Sequence, residues 1–271
     1  MSNKIKAPDS VVEHFFQDFA PQGTQTAKIG DSANGVVIAS SIRNPEDVVA
    51  IKIGPSEKIS REHDYYEELR DVVGKEHTIP RGKVLVTTDN KTGNEYGALV
   101  TPFLPDLQPF SRQDLFLPKQ GTLRESRIGE FADLLATMQS AGLFHGDFQA
   151  KNVGNRANGL SMVFDMEAAT RLTPDSPDLA RHIVHDLLSF YKSLAIKNLY
   201  GLNPDPLIKE IEMLFTEHWL QKVHEYGVLA VDLALEAAVS SSSTFADWVK
   251  SGGLARAKQR FTPNQRGVLA A

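Results

Sequence analysis

Three side chains in the stretch GLFHGDFQAKNVGNRANGLSMVFDMEAAT, residues 142–170, carry the oxygen atoms that a divalent cation takes: Asp147, Asn152 and Asp165. They are separated by five and then thirteen positions, and an apolar MVF run leads into the last of them. Two carboxylates and a carboxamide at this spacing are either loop residues capping turns or a hard-oxygen site of the kind Mg²⁺ occupies. The chain has no cysteine, which excludes disulfides, thiolate catalysis and Cys-ligated zinc or iron–sulfur centres. The chemistry must therefore use oxygen or nitrogen.

The elements around these residues determine whether they converge. PDSVVEHFFQDF places Val11, Val12, Phe15, Phe16 and Phe19 on one face of a helix, with Asp9 and Ser10 as candidate caps and Pro21 and Gly23 ending it. KIGDSANGVVIASS and EDVVAIKIG are β-branched runs that read as two strands around a polar turn. SEKISREHDYYEELRDVV is helix-prone, with Ile59, His63, Tyr66 and Leu69 near helical spacing and Ser56 as a candidate N-cap. GKVLVTTDNKTGNEYGALVTPFL gives two further strands around a DNKTGN hairpin. A loop rich in proline and polar residues follows, then an amphipathic helix carrying Ile128, Phe131, Leu134, Leu135 and Met138 and closed by Gly142. After residue 176 the chain carries mostly the helical period.

A chain of 271 residues with 41% hydrophobic content can bury a large core, as one domain or two lobes. A formal charge of -5 over 29 basic and 34 acidic residues argues against a nonspecific nucleic-acid binder. No apolar run resembles a signal peptide or membrane span, so a soluble cytoplasmic protein without a membrane partner is the simplest expectation. His182 and His185 lack a convincing third metal ligand. The basic C-terminal stretch, with Lys250, Arg256, Lys258, Arg260 and Arg266, reads as a solvated tail or a docking surface for an acidic partner.

The order of elements, with HGDFQAKN followed by VFDME, resembles the HGDxxxxN … hDxE pattern of the aminoglycoside phosphotransferase and choline kinase branch of the protein-kinase-like superfamily. The resemblance covers most of residues 27–190 and is strongest over 128–168. It implies an α+β bilobal fold: an antiparallel-sheet N-lobe with one helix over 1–103, and a larger helical C-lobe over 104–271. It also implies ATP and Mg²⁺ as cofactors. Asp147 would orient an acceptor hydroxyl and take its proton, and Asn152 and Asp165 would hold the metal against the phosphates. Lys52, in the place of the lysine of VAIK, would meet the α- and β-phosphates. Its partner would be Glu62, with Glu67 the weaker choice. Gly30 and Gly35 of GDSANG would let the backbone approach phosphate. Thr101 and Phe103 of LVTPFL would stand where backbone groups meet adenine. His145 would brace the loop, and Asp186 matches an aspartate that does the same.

The departures are equally specific. Gly146 replaces the arginine of HRD, Met166-Glu167 replaces FG, Gln149 stands where protein kinases carry a lysine, and no APE follows. These features favour a small-molecule hydroxyl acceptor, with a specific protein substrate and a nucleotide-binding pseudokinase as the alternatives.

Overall fold

The computed structural model describes residues 7–21, 36–109, 121–194 and 205–225. Gly30, Gly35, the C-terminal basic stretch and the segment from Val231 onward lie outside the described residues. The chain divides into two compact units, one of residues 1–111 with 150–169, the other of residues 112–149 with 170–271. Secondary structure is mixed α+β, with a curled five-stranded antiparallel sheet and five α-helices among the described residues.

In the first unit, β1 (Phe19–Pro21), β2 (Val36–Ser41), β3 (Val48–Pro55), β4 (Lys83–Thr88) and β5 (Glu95–Pro102) pair in the order β1-β2-β3-β5-β4. Strand periodicity sends alternate residues to opposite faces. Ile51, Ile53, Ala98 and Val100 share one face with Ala39, and Val11, Phe15 and Phe19 pack onto it. Val11 and Phe15 belong to α1 (Asp9–Phe15), which is shorter than its apolar spacing suggests, because Phe19 has already entered β1. Curling brings the sheet's outer strands toward each other, with Lys83 Nζ of β4 lying 5.8 Å over the Phe19 ring of β1.

The opposite face carries Ala50 and Lys52 of β3, in register with Thr101 and Leu99 of β5. Helix α2 (Ser56–Val73) starts where β3 ends and buries Ile59, Glu62, Tyr66 and Leu69. Those residues recur at intervals of three and four, which keeps them on one helical face. Pro55, not Ser56, occupies the cap position, and no side chain caps the helix. Gly97 lets α2 approach β5, since a Cβ there would lie 3.0 Å from that of Ile59.

The unit is completed by β6 (Gln108–Pro109), β8 (Val153–Asn155) and β9 (Ser161–Val163), paired in the order β6-β8-β9. Arg156 Nε donates to both carboxylate oxygens of Asp106 at 2.8 Å, tying the segment before β6 to the turn after β8.

In the second unit, α3 (Gly121–Ser140) packs against α5 (Asp205–Glu225). Trp219 Nε1 donates to Gln139 Oε1 across that contact at 2.9 Å. Strand β7 (Leu143–Phe144) pairs antiparallel with β10 (Thr170–Arg171). Gly142, which ends α3, has φ 75°, and a Cβ there would meet the Leu172 carbonyl oxygen at 2.3 Å. Helix α4 (Leu179–Leu194) contributes Phe190, which stacks on Phe215 at 4.1 Å and leaves Phe148 packed beside both rings. No helix among the described residues is long and apolar enough to cross a membrane.

Candidate active site

Lys52 is 7% exposed, a degree of burial that an ammonium tolerates only when paired. Its Nζ donates to Glu62 Oε1 at 3.0 Å and lies 2.8 Å from Oε2. It also donates to Asp165 Oδ1 at 2.8 Å, and Glu167 Oε2 lies 3.4 Å away. Burial acts to lower the lysine pKa, but Glu62 and Asp165 outweigh it and hold it above the ordinary value. Burial pushes Glu62 in the opposite sense, upward, against the pull of Lys52. Both carboxylate oxygens lie within 3.0 Å of the ammonium, the range of a charge-assisted contact. Glu67 lies elsewhere on α2, where it accepts from Arg70 and Arg81.

Asp165 follows β9 and adopts a left-handed conformation, φ 63° and ψ 59°, before a 3₁₀ turn at Met166–Ala168. Asn152 is buried at the end of another 3₁₀ turn, Ala150–Asn152, and its carbonyl accepts the Phe164 N–H at 3.0 Å. The β8–β9 hairpin therefore brings the backbone of Asn152 against the residue before Asp165.

Glu62, Asp165 and Glu167 each present a carboxylate oxygen within 4.8 Å of the others. Three carboxylates face one buried ammonium, with Lys58 Nζ a further 3.4 Å from Glu167. This oxygen-rich, net acidic donor set suits a hard divalent cation such as Mg²⁺. The Asp165 and Glu167 side chains are 24% and 29% exposed, so both remain reachable from solvent.

An apolar pocket of about 120 Å³ opens beside this cluster, walled in part by Val36, Ala50, Leu99, Leu107 and Phe164. Thr101 and Phe103 also line it. The Phe103 N–H is donated to Val48 of β3, so this residue contributes wall and not a backbone donor.

Asp147 belongs to the other unit, in the loop after β7. The backbone N–H groups of His145 and Gly146 donate to Asp186 Oδ2 and Oδ1 at 3.0 and 2.8 Å. Gly146 has φ 75°, and the Asp147 N–H donates to His145 Nδ1 at 3.2 Å. Gln149 Nε2 donates to Asp147 Oδ1. The loop is thus held by one carboxylate of α4 and one imidazole. His145 is fully buried against Phe148, which fits bracing by packing and hydrogen bonding.

Burial pushes the Asp186 carboxyl up to about 7, although the His145 and Gly146 N–H groups pull it down. A carboxyl with a raised folded-state pKa stabilises the fold while protonated, and that contribution is lost as pH rises from about 4 to about 7. The stability advantage of the wild type over Asp186→Asn should therefore shrink by roughly 1.4 kcal/mol per pH unit across that window. Urea unfolding at several pH values measures it, and a constant difference would contradict the assignment.

The residues that spacing alone did not single out are Tyr66 and Lys58. Both stand on the Glu62 face of α2, at i+4 and i−4, and both touch the turn at Asp165–Glu167. The only available signal was that periodicity, which for a tyrosine reads as core. Comparison with protein-family profiles and with curated protein sequences gives no match for this chain.

Proposed function

We propose that the chain is an ATP- and Mg²⁺-dependent phosphotransferase of the protein-kinase-like fold, moving the γ-phosphoryl group to a hydroxyl of a small molecule. The observation that carries this reading is the convergence of Lys52, Glu62 and Asp165 beside an apolar pocket. A planar base fits apolar walls, and an ammonium held by two carboxylates is a fixed positive point for phosphate oxygens.

In this reading Lys52 orients the α- and β-phosphates, with Glu62 fixing its position. Asp165 and Asn152 are the residues that would hold Mg²⁺, which when bound spreads the charge of the transferring phosphoryl group. Asp147 accepts the proton of the acceptor hydroxyl. The hydroxyl oxygen bonds to the γ-phosphorus as the bond to the leaving ADP oxygen breaks.

A small acceptor is favoured because only residues 166–178 separate Asp165 from α4, and β10 already occupies Thr170–Arg171. That leaves little chain for a platform on which an extended peptide could lie. Glu167, partly exposed, offers a charge-assisted partner to a cationic hydroxylated compound.

The test is transfer from [γ-³²P]ATP to a panel of aminoglycosides and amino alcohols, with cell lysate as a parallel arm. Label on a small compound supports the reading. Label confined to one lysate protein would replace it with a protein kinase, and nucleotide binding without transfer would replace it with a pseudokinase. Lys52→Ala should lower kcat/KM for ATP roughly 10–100-fold, the range of a lost hydrogen bond to a charged group. Unchanged steady-state kinetics would reduce Lys52 to a structural charge.

A further inference from the structure

We infer that Tyr66 is a positioning residue: its hydroxyl holds the backbone of Asp165 in the left-handed turn that presents the Asp165 carboxylate beside Lys52. The inference rests on the phosphotransferase reading only for the identity of the cation that the carboxylate serves.

Asp165 is the one non-glycine residue with positive φ among the described residues. For most L-residues that conformation is disfavoured by roughly five- to thirtyfold in population, less for aspartate, so a contact that fixes it shifts the balance by a measurable amount. The Asp165 N–H donates to the Tyr66 hydroxyl at 2.6 Å. The tyrosine is 5% exposed, and burial, with Glu62 and Asp165 nearby, raises its hydroxyl well above the usual range. It therefore stays neutral at physiological pH, with lone pairs able to accept.

Position in the helix explains how one oxygen can do this. Lys58, Glu62 and Tyr66 are four residues apart on α2 and form one stripe. Each meets the same short turn. Lys58 pairs with Glu167, Glu62 shares Lys52 with Asp165, and Tyr66 takes the Asp165 N–H. Two of these contacts fix side chains and only the third fixes the backbone. Without it, Asp165 would have a partly buried N–H lacking its acceptor and a less favoured conformation. Both costs vanish if the peptide rotates, and rotation swings the carboxylate out of its place beside Lys52.

The test is Tyr66→Phe, which removes one oxygen and keeps the buried ring. Mn²⁺ is titrated by electron paramagnetic resonance in the presence of a nonhydrolysable ATP analogue, and analogue binding is measured separately without metal. The expected result is Mn²⁺ affinity lowered about fivefold, the lower end of the population bias against the left-handed region and the end that suits aspartate, with metal-free analogue binding unchanged. Mn²⁺ affinity within twofold of wild type would overturn the inference. So would an equal loss of metal-free binding, which marks Tyr66 as packing for the pocket. If the variant does not fold, hydrogen exchange of the Asp165 amide in the wild-type chain decides. Slow exchange supports the bond, and unprotected exchange overturns it. If wild type itself binds no Mn²⁺ with the analogue, the phosphotransferase reading fails, and the same amide exchange still judges the role of Tyr66.

Discussion

Asp147→Asn should reduce turnover by ~10²–10⁴-fold, the usual contribution of a general acid or base, while ATP affinity changes little. The substitution is nearly isosteric and leaves the Asp147 N–H free to donate to His145 Nδ1, so the loop keeps its backbone anchors on Asp186. What it removes is a carboxylate able to accept a proton, and the amide oxygen can still receive the Gln149 bond. Steady-state kinetics paired with calorimetry on a nonhydrolysable analogue separates the two effects. A turnover within a few-fold of wild type would remove Asp147 from its assigned role. A parallel loss of nucleotide binding would show that the substitution had disturbed more than proton transfer.

Asp165→Ala should instead abolish the dependence of nucleotide binding on Mg²⁺, with turnover falling alongside. Loss of an outer partner of a metal ligand already costs roughly 10–100-fold in affinity, and loss of a ligand itself should exceed that. Lys52 also loses its 2.8 Å contact, but its pairing with both oxygens of Glu62 survives, so the ammonium stays in place. Titration of ATP with and without Mg²⁺ should give superimposable curves for the variant and separated ones for the wild type. Separated curves of wild-type spacing in the variant would place the metal elsewhere.

Legibility differed by residue, for physical reasons. The strands holding Lys52 and Leu99 were readable because β-branched runs are bounded by turn residues, and α2 matches its predicted span because its buried residues keep the helical period, although the expected Ser56 cap is not formed. The Lys52–Glu62 pairing came from the family resemblance and not from helix spacing, which alone does not choose among the glutamates of α2. Phe19 was misjudged because an apolar residue at helical spacing also suits a strand, and its pairing with Ser41 is a long-range event that no local window contains. Tyr66 was hidden for a related reason. Its ring satisfies the apolar stripe, and the hydroxyl acts on a residue 99 positions away. The left-handed backbone of Asp165 has no local signature either, since nothing in VFDME demands it.

β3 takes part in two structures at once. Its odd-numbered Ile51 and Ile53 face the hydrophobic core, and its even-numbered Ala50 and Lys52 line the pocket. A slip of one residue against β5 would exchange the two sets, driving an ammonium into hydrocarbon and exposing two isoleucines. The lysine thus proofreads the sheet: the charge that lines the pocket in the native register is the same charge that penalises a slipped one.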